Sequence, residues 1–454
     1  MSKAIDNDII LKVIIRGSER IMKKKSTYLQ KLFCFASFIF LATCCFWYGG
    51  RFIYFYLENN KTIEQTNNNL SYIVLQDNEL KKSNGSQYFY GKDVDNYVKY
   101  SNILWRIIKI DNDNSVYLIS DNVISYLNNG NNNYINMWLN KSDLENSGIL
   151  ESNLNDTNKY LLNYKVCNDI VNNLNNVTCD NLNEDNLIGL LSIVDYINTG
   201  GDKGFINNNK YTFLNNFNDT TNMWYINHEG KLGTSEGNEI YGIKPVIRLN
   251  GNINLISGNG TNNSPYIIEE ETTLFGSYVK LGNDIWRIFN VSEENIKLIL
   301  NDYLMINGEK LEMKYSTTNY QHNDTINSSL AYYLNHDYLD SLSYKEVILN
   351  NNWTNHYYGI INNYNYTDII NNKIDTKVSV ISIGDIIFND NMLEKFYTNT
   401  GIDDTTNLIY TINNDGTTSK RRVNYPSYVV PVISINKNIL TKGNGSLDVP
   451  YEME

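Results

Sequence analysis

YVKYSNILWRIIKIDNDNSVYLIS, Tyr97–Ser120, is followed at Tyr278–Leu300 by YVKLGNDIWRIFNVSEENIKLIL. In each version a Trp-Arg pair, Trp105-Arg106 or Trp286-Arg287, sits in a run of branched and aromatic residues. A polar break and a second apolar run follow, the pattern of two antiparallel strands joined by a turn. More anchors recur in the same order. Leu139-Asn140 is answered by Leu334-Asn335, Ser192-Ile-Val-Asp195 by Ser382-Ile-Gly-Asp385, and Trp224 with Glu229-Gly230 by Tyr410 with Asp415-Gly416. Pro245-Val246-Ile247 is answered by Pro431-Val432-Ile433, and the turn around Gly258 and Gly260 with Pro265 by Gly443 and Gly445 with Pro450. Such spacing identifies a duplicated structural unit.

Within the first copy, Leu161, Tyr164, Cys167, Val171 and Leu174 recur at helical spacing, which predicts an amphipathic helix starting near Asp156 with Cys167 on its buried face. Ile188–Leu191 reads as a buried strand feeding a helix capped by Ser192 and Asp195. Met223–Gly230 reads as a hairpin, Lys244–Asn250 as a closing strand, and Gly258 and Gly260 as positions that need positive φ. Trp105 and Trp286 are assigned to the core. Arg106 and Arg287 are expected to pair with Asp195 and Asp385.

The boundaries follow. Residues 1–31 form a basic segment, 32–50 a transmembrane helix, 51–90 a stalk, 91–269 the first copy and 274–454 the second. Leu32–Tyr48, LFCFASFIFLATCCFWY, carries no charge and approaches the length that crosses a bilayer as a helix. Positive charge precedes it, so the amino terminus is expected in the cytoplasm and the body outside, a single-pass protein of the cell membrane. Met22 followed by three Lys is an alternative start. Lipidation at Cys44 and cleavage to a secreted form are the alternatives to an uncleaved anchor.

The net charge of -12 is divided unevenly. Nine basic residues face three acidic ones as far as Arg51, and 29 face 47 beyond it. A body so acidic repels phosphate backbones, which argues against nucleic acid as a partner. Of the five Cys, only Cys167 and Cys179 lie in the body, and outside the cell they are expected to form a disulfide.

No catalytic residues are assigned. His228, His322, His336 and His356 lack the spacing of paired metal ligands, and no Gly-rich phosphate loop precedes a Lys. No metal site or cofactor is assigned beyond calcium, for which the turn acids Asp111 with Asp113, or Glu293 with Glu294, offer oxygen ligands.

The assembled anchors resemble the tandem surface modules of low-GC Gram-positive gut bacteria and their relatives: a Trp-Arg-Ile hairpin, a Leu-Leu-Ser strand-to-helix step and a Gly-x-Lys/Arg-Pro-Val strand. Some of those modules resemble the C-type-lectin-like fold of the formylglycine-generating enzymes. The resemblance implies an α+β class, two tandem copies of a mixed, mostly antiparallel sheet with helices, behind the transmembrane helix. The reactive Cys pair of such oxidases would stand near the carboxyl end of the domain, where neither copy has one. Functional residues are sought where the copies differ: Lys244 and Arg248 become Val430 and Ser434, and Trp224 becomes Tyr410. A cationic, aromatic-flanked patch of Trp224, Lys244 and Arg248 is the expected ligand site. The expected function is adhesin-like or envelope recognition of a glycan or a surface protein, and not that of an enzyme. An extracellular enzyme without a recognisable motif, or a pilin-like assembly subunit, is the alternative.

Overall fold

The computed structural model describes residues 68–453 apart from 77–79, 129–132, 144–146, 168, 175–176, 178–180, 208, 220–221, 236–238, 270–272, 318–324, 355–372, 389–395 and 402–406. Alternating apolar runs broken by Asn, Asp and Gly turns produce strands throughout, and the two copies repeat the same topology. In the first copy, Tyr97–Tyr100 pairs antiparallel with Ile103–Ile110, which pairs with Val116–Ser120. That strand pairs with Pro245–Leu249, and Ile188–Leu190 completes the order. In the second copy, Tyr278–Leu281, Asp284–Val291, Asn295–Leu300, Pro431–Asn436 and Val378–Val380 pair in the same sequence. Even the irregularities match: the long strand bulges between Ile107 and Lys109 in one copy and between Ile288 and Asn290 in the other.

Each copy adds a five-stranded sheet. Thr212–Phe217, Met223–Ile226, Leu232–Ser235, Ile240–Ile243 and Ser125–Asn128 build the first. Phe396–Gly401, Leu408–Ile412, Thr418–Arg422, Ser427–Tyr428 and Glu312–Met313 build the second. Trp105 and Trp286 are fully buried, as their place in apolar strands predicts. The terminal turns need glycine: a Cβ on Gly258 would stand 1.9 Å from Pro265 O and one on Gly443 2.0 Å from Pro450 O, both at positive φ.

The matched Asn residues have a shared job. Asn140 donates to Ile188 O and accepts from the amides of Leu187 and Ile188, while Asn335 donates to Val378 O and accepts from Val378 N. Each side chain pairs like a strand with the last strand of its sheet and satisfies backbone groups that would otherwise be buried unmet.

Several expectations are corrected. The described residues are mostly β, with 43% strand against 14% helix, so the α+β class does not hold. No helix among the described residues is long and apolar enough to cross a membrane, so the transmembrane helix is not supported; residues 32–50 lie outside the described residues. Leu161–Leu162 and Tyr164–Cys167 are strands rather than a helix, and Leu174 is exposed. With Val166 and Val171 also in that stretch, the β-branched and aromatic content favours the pleated surface over the helix.

The described end of the expected stalk, from residue 68, is part of the fold. Leu70 and Ser71 donate their amides to Ile253 O and Gly251 O, and Leu80–Ser83 and Ser86–Phe89 extend the first sheet. Tyr88 donates to Asp195, and Ser83 to Asn198. Residues 80–91 therefore cover the first copy's short helix, Ile193–Asn198.

The copies are joined rather than strung. Residues 68–454 form one compact unit with a continuous apolar interior. Trp138 donates to Gly384 O at 2.6 Å, Ser125 Oγ to Asp385 O at 2.8 Å, and Gly384 and Ile387 donate their amides to Tyr126 O and Ile124 O. That docking explains a divergence. Ser192–Asp195 opens a helix in the first copy, whereas Gly384 sits at φ +92° and residues 382–388 stay irregular, their backbone given to the first copy's 124–126 segment.

Candidate functional site: a tyrosine face at the seam of the copies

The first copy's five-stranded sheet carries rings on one face. Phe213 and Tyr225 are directly paired across adjacent strands, and Tyr241 lies on the strand that runs parallel on the other side. Tyr211 precedes the strand Thr212–Phe217 by one residue and shares the face of Phe213, because side chains two apart in a strand point the same way. The Tyr211 ring lies 5.7 Å from Tyr225, 5.4 Å from Tyr241 and 5.5 Å from His228, tilted by only 31–34° from each. Tyr225 and Tyr241 are 4.8 Å apart. The three tyrosines are half-buried, His228 is exposed, and Phe213 beneath them is buried.

Local sequence makes this possible. Gly233 lies opposite Tyr225, where a Cβ would come within 2.6 Å of the ring, so the missing side chain lets the ring lie flat across the neighbouring strand. The second copy frames the edge: Tyr211 N donates to Asp415 O, Tyr241 bridges to Thr417, and Gly416 packs on Lys210 and Tyr211. Burial raises the Tyr211 hydroxyl pKa, helped by Tyr225, Asp415 and Glu229. Burial likewise raises Tyr241, helped by Tyr225 and Glu239. Both stay protonated donors at neutral pH.

The second copy lacks this face. By strand register Tyr225 corresponds to Thr411 and Tyr241 to Ser427, while Tyr397, which corresponds to Phe213, is buried against Tyr315. Sequence reasoning that compared the copies passed over these positions, because in a chain with 36 Tyr an extra ring carries little weight until the register shows which rings share a face.

The expected patch is not a patch. Trp224 is buried and donates to Val171 O at 2.8 Å. Lys244 is buried with its ammonium 3.3 Å from Ile206 O, and burial lowers its pKa to about 8. Arg248 is buried and held by Ser115, Asn163 O and Asp113. The three are held at separate places in the interior, and Arg248 turns inward because its strand, Pro245–Leu249, is buried along its whole length.

Arg106 pairs with Asp121 at 3.5 Å and not with Asp195, which takes Lys109 at 2.8 Å. The guanidinium is held by Asn96, the Tyr97 hydroxyl and Val94 O, and stacks on the rings of Tyr97 and Phe205. Arg287 donates to Gly276 O and stacks on Phe388, and the Asp385 carboxylate instead accepts from the amide of Ser382.

Asp111 and Asp113, the turn acids offered for calcium, both lie near Lys165, and Asp113 also holds Arg248. Among the described residues no group of three His, Cys, Asp or Glu is placed to hold a metal ion. Cys167 is disulfide-bonded, while Cys179, its expected partner, lies outside the described residues. His336 stacks on Tyr332, and His322 and His356 lie outside the described residues. No family model, curated protein or solved structure matches the chain.

Proposed function

We propose that this chain is an exported recognition protein whose first copy binds glycan on the face built by Tyr211, Tyr225 and Tyr241. The observation that carries the reading is the presence of this half-exposed ring cluster in one copy and its replacement by Thr411 and Ser427 in the other. Sugar rings present apolar C–H faces with a rim of hydroxyls. Tyrosines meet both demands, giving flat apolar area at low entropic cost and a polar tip. The acidic body disfavours polyanions and leaves neutral or amino-bearing glycans as the substrate class. The disulfide at Cys167 supports an oxidising location outside the cytoplasm.

The test is a glycan array probed with the full chain in detergent micelles, beside a double variant Tyr225→Thr/Tyr241→Ser that gives the first copy the second copy's residues. Retention of a defined glycan set by the wild type, with at least about a tenfold loss in the variant at unchanged melting temperature, is the expected result; each lost ring contact of about 0.5–1.5 kcal/mol supplies it. A blank array, or equal binding by the variant, overturns the assignment.

A further inference from the structure

The face that carries the tyrosines continues into a cavity. Met223 stands two residues before Tyr225 on the same strand and pairs with Phe217, so both share the side of the sheet that presents Phe213 and Tyr225. With Val166 they help line a cavity of about 290 Å³, whose apolar wall is interrupted by four carboxamides, Asn136, Asn183, Asn186 and Asn215. Among the described residues no charged side chain lines it. Small-molecule sites run from about 300 to 1,000 Å³, so this one takes a single ring rather than an extended chain.

The four carboxamides are half-buried and keep hydrogen-bonding capacity to spare. Asn136 Oδ1 accepts from Asn140 at 2.9 Å and Asn183 Oδ1 from the Asp185 amide at 2.8 Å, which leaves both their N–H donors. Asn215 donates to Cys167 O at 2.8 Å, which leaves its carbonyl oxygen. Asn186 makes no side-chain hydrogen bond among the described residues. The cavity therefore offers donors and an acceptor beside an apolar wall, without charge.

The second copy keeps the backbone here and gives up the lining. Asn140 and Asn335 each bond back to the residue four before, Asn136 and Ala331, and accept from the matched amides of Ile188 and Val378. The carbonyls of Cys167 and Thr354 likewise accept from Asn215 and Asn399. From that register Asn183 becomes Ile374, Asn186 becomes Thr376 and Val166 becomes Trp353. Trp353 is 3% exposed and donates its ring N–H to Thr376 O at 2.9 Å. Asn399 is fully buried with both ends used, donating to Thr354 O at 3.3 Å and accepting from the Tyr315 hydroxyl. Three of the four carboxamides are thus lost together where a large ring is gained, although the backbone bonds around them persist. The lining of the first copy is not required by the fold.

We infer that this cavity holds the acetamido group and ring face of an N-acetylhexosamine, an extension that rests on the reading of the chain as a glycan-binding protein. An acetamido group brings a carbonyl for the N–H donors of Asn136 and Asn183, an N–H for Asn215 Oδ1, and a methyl for the wall at Val166, Phe217 and Met223. A carboxamide is its own hydrogen-bonding complement. An amino or carboxylated sugar would bring a charge that no lining residue neutralises, and burying an unpaired charge costs far more than burying a paired amide. Of the neutral and amino-bearing glycans, the cavity selects the neutral, acetylated ones. The rest of the glycan then runs from Met223 toward Tyr225, along the face that both share.

Titration calorimetry on the full chain in micelles tests this with the methyl glycosides of N-acetylglucosamine, N-acetylgalactosamine, glucose and glucosamine. At least one N-acetyl glycoside is expected to bind with a dissociation constant near or below about 1 mM, at least about tenfold tighter than the glucoside and the glucosaminide. The triple variant Asn136→Ala/Asn183→Ile/Asn186→Thr, which installs the second copy's residues, weakens that binding at least about tenfold. Melting curves separate lost binding from lost fold. If the triple variant unfolds, Asn186→Thr alone, whose side chain makes no bond among the described residues, decides with a loss of at least about threefold. No binding of either N-acetyl glycoside at about 10 mM, a glucoside that binds equally, or binding indifferent to the Asn substitutions would overturn the proposal. Tyr225→Thr/Tyr241→Ser leaves monosaccharide binding unchanged, so the two readings fail separately. N-acetyl glycoside binding beside a blank array overturns the tyrosine face and keeps the cavity; a positive array without preference for N-acetyl glycans overturns the cavity and keeps the face.

Discussion

At matching places in their major sheets the two copies solve the same packing problem with opposite chemistry. The first copy buries Lys244 and Arg248 around the strand Pro245–Leu249; the second puts Val430 and Ser434 there. Arg248 reaches Ser115 and Asp113, whereas Ser434 needs only Ile296 O, 3.2 Å away. Backbone pairing with the hairpin strand is the same around both. Divergence between copies is therefore of two kinds. Buried exchanges such as these alter how the interior is satisfied. Exchanges at the rim, such as Tyr225 for Thr411 or Asn183 for Ile374, alter what the surface can hold, and those carry the functional proposals.

Removing what the copies share should hurt most, and unequally. Asn140→Ala strips two amides and one carbonyl of their partner, Asn335→Ala one of each. At roughly 1 kcal/mol or more per buried group left unmet, we expect losses of about 3 kcal/mol and about 2 kcal/mol. Urea unfolding at pH 7 measures both. Equal losses would mean that the third bond, to Leu187 N, adds nothing.

A smaller effect, of opposite sign, comes from exchanging the interiors. Lys244→Met should stabilise the chain by about 2 kcal/mol at pH 7, since burial lowers the lysine pKa to about 8 against about 10.4 when unfolded. Below pH 8 both states carry the proton and the native state bears the full penalty. Between about 8 and 10.4 the native lysine is neutral while the unfolded one still holds its proton, so wild-type stability rises with pH. The advantage of Met should accordingly fade by about pH 10.5, and urea midpoints at pH 7 and 10.5 report it.

Much of the fold was legible because repetition filters noise. Trp105 with Trp286, the paired Gly turns and the Leu-Asn step recur in both copies, and each proves structural. What was not legible depends on contacts distant in sequence. The stretch Leu161–Leu174 has helical spacing but pairs as strands, because its partners at residues 182–186 and 248–249 are invisible to local periodicity. Lys244 and Arg248 read as surface because charge favours water, until the strand that Lys244 precedes and Arg248 sits on is seen paired on both sides. The tyrosine face needed register to bring Tyr211, Tyr225 and Tyr241 together from three segments. The joint between copies was hidden for the same reason: nothing local in Ser382–Asp385 says that its backbone will be spent on residues 124–126.

The finest distinction lies at the turn Asp111–Ser115, where the first copy adds an ion pair that the second does without. Burial alone would raise the Asp113 carboxyl. The Ser115 hydroxyl and amide, then Arg248 and Lys165, more than offset it and hold the pKa at about 2. An unfolded Asp titrates near 3.9. A carboxyl depressed on folding contributes stability that is complete above about pH 4 and is lost as pH falls toward 2, because the unfolded chain then binds the proton that the native turn refuses. Asp113 is half exposed, so solvent screening keeps the contribution small. Asp113→Asn should flatten the acid limb of the stability profile between about pH 4 and 2 while leaving the limb above pH 5 parallel to wild type. Replacing Arg248 by Ser, the second copy's residue, should flatten the same limb only in part, since Ser115 and Lys165 remain. If both substitutions flattened it equally, Arg248 would be the sole support of that carboxylate, and the first copy's charged interior would matter more to acid stability than its hydrogen bonds allow.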